Sequence, residues 1–326
     1  MHDRWFAVVF VVTAVGALAT PGVAGQTQTT PADTGTPTPR TAWGDPDLEG
    51  VWNNISNTPL ERPDELAGKA EFTEEEAIEF LTRTLRRIDR DRRDGAVETD
   101  VGRAYNEFWS DRQNKVLAWA NRRTSLVVDS PDGKLPPLTE TGQQRVGSRR
   151  TARGRPAQSW EDRSLWERCL TRGVPRIPGS YNNNFMIVQT PGYVVILVEM
   201  VHETRVIPLD GRPHVAPGIR QWMGDSRGHW EGNTLVVETT NFTDQQEFRG
   251  TGRNLRLVER FARVDAEAID YRFTIDDPET YTKPWTVALP MNRTREEIFE
   301  YACHEGNHGM VGILAGARAQ DPSTSR

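Results

Sequence analysis

From Tyr181 onward, apolar and polar residues alternate with a period of two, and this alternation restricts the chain to a fold built on sheets. Phe185–Gln189, Tyr193–Met200 and Glu203–Pro208 are three such runs, separated by Pro191-Gly192 and by a short break at Val201-His202. Arg220–Met223 and His229–Glu231 read as strands on either side of a Gly224–Gly228 turn. Gly232-Asn233 is a two-residue hairpin signal leading into Thr234–Thr240. Leu255–Val264, Ala268–Asp276, Trp285–Met291 and Ile298–Tyr301 continue the series. No strand–helix–strand alternation occurs, and no glycine-rich phosphate loop follows a strand, which disfavours nucleotide-binding α/β folds.

The expected fold is mainly β: an antiparallel lipocalin-like barrel or a β-sandwich, with a helical insertion and a C-terminal helix. Asp47–Asn53 reads as the first strand, and its Gly50-x-Trp52 pair resembles the entry strand of lipocalin-like barrels. Thr73-Glu-Glu-Glu76 is a capping box, and Ile78, Leu81, Leu85 and Ile88 follow at helical spacing, so a helix is expected over about 73–93 within an insertion of about 73–120. Thr124–Asp129 reads as a strand entering the Pro131-Asp132-Gly133 turn. Val146–Gln158, basic and without an acid, reads as a surface loop. Met310, Ile313, Leu314 and Ala317 define one face of a short terminal helix.

The first residues constrain location. A charged start, the apolar run Phe6–Ala19 and the small residues to Gly25 match a secretory signal, and the run is shorter than the about 20 residues a bilayer requires. Residues 1–25 are therefore expected to be removed on export to the periplasm or beyond. Residues 26–42 form a Thr/Pro-rich linker, 43–319 one domain and 320–326 a tail. In an oxidising compartment the two cysteines, Cys169 and Cys303, are expected to pair, the alternative being two separate buried thiols. With 40 basic and 46 acidic residues and a net charge of −6, the chain lacks the footprint of a nucleic-acid binder. No membrane partner is expected after signal cleavage, and no cofactor motif is present.

The expected function is binding of a small organic ligand, aromatic, lipid-like or a sugar, in a barrel pocket, with or without acid–base turnover as an isomerase, lyase or hydrolase. His202, Glu259 and Asp225 are the candidate catalytic groups. Glu259 shares a strand face with Leu255, Leu257 and Phe261, where an inward carboxyl is either a proton donor or locked to a core arginine. Candidate ligand contacts are Tyr181, Asn183, Glu199, Arg205, Arg220, Trp222, His229 and Trp230, the last four from the aromatic and charged stretch Arg220–Glu231. A metal-dependent hydrolase is the alternative, because His304-Glu305-Gly306-Asn307-His308 spells a zincin motif. Gly306 weakens the continuous helix that motif needs, and Asn307 is a natural cap for the terminal helix, which would leave His304 outside it. No metal ligand is assigned on these grounds.

The segments YNNNFMIVQTPGYVVILVEMVHETRVIPLDGRPH, RQWMGDSRGHWEGNTLVVETTNF and YACHEGNHGM, with RTSLVVDSPDGKLPPLT and ERCL, resemble a family of exported bacterial proteins of uncharacterised activity. The resemblance extends from about Trp43 to Ala319. It implies that this stretch is one unit and implies no chemistry.

Overall fold

The computed structural model describes residues 38–89, 91–93, 95–97, 122–179, 181–246 and 248–320. The segment expected to be a secretory signal, most of the expected linker, the later part of the expected helical insertion and the expected tail from 321 lie outside the described residues.

Nine strands form one antiparallel sheet that curls into a nearly closed barrel: β1 (Gly50–Asn53), β2 (Asn184–Thr190), β3 (Tyr193–Val198), β4 (Glu203–Pro208), β5 (Asp225–Glu231), β6 (Thr234–Thr240), β7 (Arg256–Arg263), β8 (Ala268–Asp276) and β9 (Trp285–Arg293). Their order is β4-β3-β2-β1-β9-β8-β7-β6-β5. Two meanders, β2–β4 and β5–β9, are thus joined through the short β1, which pairs β2 on one side and the end of β9 on the other. Where β1 does not reach, Leu126–Val128 hydrogen-bonds to the first half of β9. The expected strand over Thr124–Asp129 is therefore only a bridge there. Ile298–Tyr301 is irregular, and Arg220–Met223 holds only a single bridge residue and a turn, two further departures from the expected strands.

The alternation has the cause inferred from sequence. Tyr271, Phe273 and Ile275 of β8 and Leu257 and Phe261 of β7 point inward, while Arg272, Thr274 and Arg260 lie between them on the more accessible face. Turn chemistry sets the register: Glu231 pairs with Thr234 across Gly232-Asn233, and Thr190 with Tyr193 across Pro191-Gly192. Gly232 and Gly192 supply the positive φ these two-residue links require.

The barrel closes where β4 faces β5, and Gly228 permits it. A Cβ at Gly228 would fall 2.7 Å from Leu209 and 2.9 Å from Ile207. This is also why the expected Gly224–Gly228 turn is wrong: β5 runs unbroken from Asp225, and the second glycine serves close approach instead of reversal. The sharp bend lies just before it, over Gln221–Gly224, with Gly224 at φ 69°. Gly228→Val should cost about 1–3 kcal/mol by overpacking this seam. Thermal denaturation tests it, and unchanged stability would mean the two strands do not meet.

Three α-helices are described in full. In α1 (Glu74–Ile88), Thr73 and Glu76 form both bonds of the capping box. Helix α2 (Glu140–Arg153) occupies much of the stretch expected to be a loop. It carries almost no apolar face, so periodicity could not reveal it. Thr139 caps it, and Gly142 lets it approach the backbone of Thr280, where a Cβ would lie 2.4 Å from the carbonyl oxygen. Arg145 bonds Thr280 and Glu279, and Arg149 bonds the Thr251 and Asp244 carbonyls. Helix α3 (His308–Ala319) is the expected terminal helix, with Met310, Ile313, Leu314 and Ala317 half-buried and none fully buried. Among the described residues no helix is long and apolar enough to cross a membrane.

Candidate functional site

The barrel centre is full. Trp52, Ile187, Ile196, Ile207, Leu235, Leu257, Phe273 and Trp285 are all but completely buried within one apolar cluster. Two clefts lie instead where β4 and β5 begin and β6 ends. One cleft of about 380 Å³ is walled by Leu165, Trp166, Arg172, Arg176, Trp222 and Phe248, among others. A second, of about 500 Å³, lies against Thr204, Arg205, Arg220, Trp222, Asp225 and Ser226. Thr171 and Trp222 line both, so the two clefts adjoin.

The floor of the first cleft continues the core. Phe248 stacks on Trp285 at 6.2 Å between ring centroids and meets Phe273 edge-on at 5.9 Å. Gln246 is buried beside it and donates to the Val174 carbonyl at 2.8 Å, joining the segment after β6 to the loop before β2. Trp222, 41% exposed, leaves a flat aromatic face open. The guanidinium of Arg172 lies 4.0 Å over the Trp166 ring, a cation–π contact.

The loop bearing Leu165–Ile177 has no regular structure long enough to hold itself, and covalent chemistry holds it instead. Cys169 and Cys303 form a disulfide, as expected, with a Cα–Cα distance of 5.5 Å. Asn307 reinforces the junction by donating to the Glu167 carbonyl at 2.9 Å.

Charge in this region is unevenly matched. Arg176 is 6% exposed, and its Nη1 has no hydrogen-bond partner. Burial lowers its pKa to about 10, so it remains protonated at neutral pH. Burial likewise lowers Arg172. Glu203, the first residue of β4, is also buried; it accepts from the Arg172 backbone N–H, while its Oε2 is unpartnered. Burial raises its pKa, against the hydrogen bond from Thr171 that lowers it.

The sequence-derived candidates divide among several environments. Arg205, Arg220, Trp222 and Asp225 do converge on the second cleft. Arg205 is engaged inward, where its guanidinium bonds both oxygens of Glu259 at 2.5 and 3.0 Å, and Tyr271 donates to the same carboxylate at 2.7 Å. Burial opposes the charge of Arg205, but Glu259 beside it leaves its pKa raised. Burial, then the Glu259 charge, raises the Tyr271 phenol well above its usual value. Asp225 accepts from Arg227 at 2.7 Å and from the Val215 N–H at 3.1 Å, and lies 2.9 Å from Nδ1 of His214. Arg220 donates to the Phe242 and Arg253 carbonyls.

The others lie elsewhere. His202 is exposed on a tight turn after β3, its Nδ1 3.2 Å from the Tyr301 carbonyl. His202, Glu259 and Asp225, the candidate catalytic groups, thus share no hydrogen bond with one another. His229 lies on the exposed side of β5 beside Glu231. Trp230 packs on the core with its Nε1 unpartnered. Asn183 brackets the backbone of Gly179, and Glu199 accepts from the Phe299 N–H. Tyr181 packs near Tyr301 at 6.3 Å.

The zincin-like motif does not form a zincin site. Helix α3 starts at His308, capped by Asn307 through the Met310 N–H, and His304 and Glu305 sit in the preceding turn. The two imidazoles are therefore not one helical turn apart. Among the described residues no three His, Cys, Asp or Glu side chains cluster as a metal site. Trp166, Arg172, Arg176, Gln246 and Phe248 were not legible as site residues, since they belong to loops with no pattern. His214, 2.9 Å from Asp225, likewise carries no sequence pattern that marks it.

Comparison with protein-family models, with curated proteins and with solved structures finds no match to this chain.

Proposed function

We propose that the protein is an exported binding protein, of the family its YNNN, RQWMGDSRGHWEG and YACHEGN segments resemble, and that it takes a small organic ligand in the paired clefts at the end of the barrel. The observation carrying this reading is the shared wall: Trp222 stands half-exposed between two adjoining clefts above an aromatic floor. Concave sites with a few placed polar groups and apolar walls are the usual form of small-molecule sites. The disulfide fits an oxidising compartment.

Binding is favoured over turnover because the candidate acid–base groups are occupied. Glu259 is enclosed by Arg205 and Tyr271, and Asp225 is held by Arg227, Val215 and His214. Among ligand classes, an aromatic body suits the Trp222 and Phe248 faces best.

Tryptophan fluorescence titrated with naphthalene, indole and sugar probes tests the reading. Aromatic probes should quench, and Trp222→Ala should weaken their binding about tenfold, the equivalent of about 1.4 kcal/mol. Equal affinity in the variant would place the ligand elsewhere.

A further inference from the structure

We propose that the first cleft seats the anionic end of its ligand, a carboxylate carried on a flat apolar body, against Arg176 and Arg172. The proposal rests on the cleft being the ligand site and adds the chemical class of what it takes.

Arg176 is nine-tenths buried, yet its Nη1 makes no hydrogen bond. A donor left in this state costs stability, and the cost is greater for a charged group. Such a group calls for a water, an ion or a ligand that satisfies it. Arg172 lines the same cleft and repels Arg176, since its charge depresses the Arg176 pKa further. Arg249 brings a third guanidinium to the lining.

The neighbouring acid does not balance them. Among the described residues, no carboxylate side chain lines this cleft. Glu203 interacts electrostatically with Arg172 and Arg176 but forms no ion pair with either. Its carboxyl is turned to the Arg172 backbone N–H and the Thr171 hydroxyl. Guanidiniums that line one cleft and repel one another are relieved by an anion seated against them. A planar carboxylate matches the fork of an arginine.

The rest of the lining selects the body. Trp222, Phe248, Ile177 and Leu165 are apolar surfaces beside the arginines, and Gln245 and Gln246 are neutral. A free inorganic anion would leave those surfaces unused, whereas an aryl carboxylate uses both halves of the site.

Isothermal titration with naphthalene-2-carboxylate and its neutral amide, naphthalene-2-carboxamide, tests this on the intact, disulfide-bonded protein. The carboxylate should bind about 10- to 100-fold tighter than the amide near neutral pH. Raising salt from about 20 to about 300 mM should weaken the carboxylate and leave the amide unchanged. Arg176→Gln should bring the two affinities together, and the exposed Arg172→Gln should narrow the gap by a smaller factor if the buried variant does not fold. Equal affinities for acid and amide in the native protein would overturn the anion seat and leave the cleft as a neutral aromatic site. If neither probe binds, or if both bind undiminished in Trp222→Ala, the cleft itself is the wrong site.

Discussion

Glu259→Ala should destabilise the protein by about 3–5 kcal/mol, because it strands the Arg205 guanidinium inside the barrel. Glu259 is 1% exposed and accepts from two arginine nitrogens and from the Tyr271 hydroxyl. Arg205 already has an unpartnered Nε, and Glu259 is the carboxylate that its guanidinium bonds. With whole-domain stabilities of about 5–15 kcal/mol, this is a large share, and the melting temperature should fall on the order of 10 °C. Tyr271→Phe should cost less, about 1.5–3 kcal/mol, by removing one hydrogen bond to a charged acceptor. The double substitution Arg205→Met with Glu259→Leu should recover much of the loss, since it removes both charges together. Full stability in Glu259→Ala would show that the carboxylate is not tied to Arg205, and the proton-donor reading of Glu259 would return.

Removing the disulfide should have a comparable effect and should also reach the ligand site. Cys169 and Cys303 are 134 residues apart, and closing a loop of that length is worth about 5 kcal/mol in the chain-entropy model. Cys169→Ser with Cys303→Ser should therefore shift the denaturant midpoint strongly. Cys169 lies within the segment that supplies Leu165, Trp166, Thr171, Arg172 and Arg176 to the cleft wall. Folded but reduced protein should accordingly bind aromatic probes more weakly than the oxidised form. Titration with and without a thiol reductant, at a temperature where both forms stay folded, measures this. Identical affinities would mean that the wall is held by its other contacts.

The sheet was legible because burial on one face imposes a period of two. Thr234–Thr240 and Ala268–Asp276 have the bounds expected from alternation alone. Where another cause shapes the backbone, the pattern misleads. Helix α2 is held by Arg145 and Arg149 reaching neighbouring segments, so its residues carry no apolar stripe. The start of β5 is polar because Asp225 binds His214 and Arg227, and it contains Gly228 because the seam is tight.

The site was legible only in part, for a related reason. Trp222 stood out as an aromatic among charges, and Arg205, Arg220 and Asp225 were found in the same stretch or on an apolar strand. Arg176 and Phe248 belong to segments brought together by the fold, by the disulfide and by Gln246, none of which leaves a periodic trace. Burial inside the barrel, which suggested a ligand cavity, instead reflects packing: Phe261 and Tyr271 stack at 4.6 Å, and the space between the strands is taken.

A crystal structure of the protein grown with naphthalene-2-carboxylate would locate the ligand directly. The ring is expected beside Trp222 and Phe248, with its carboxylate within hydrogen-bond reach of Arg176. Density for the ring among Phe261, Tyr271 and Phe273, or its absence from the Trp222 cleft at saturating ligand, would contradict a binding site at the barrel's end.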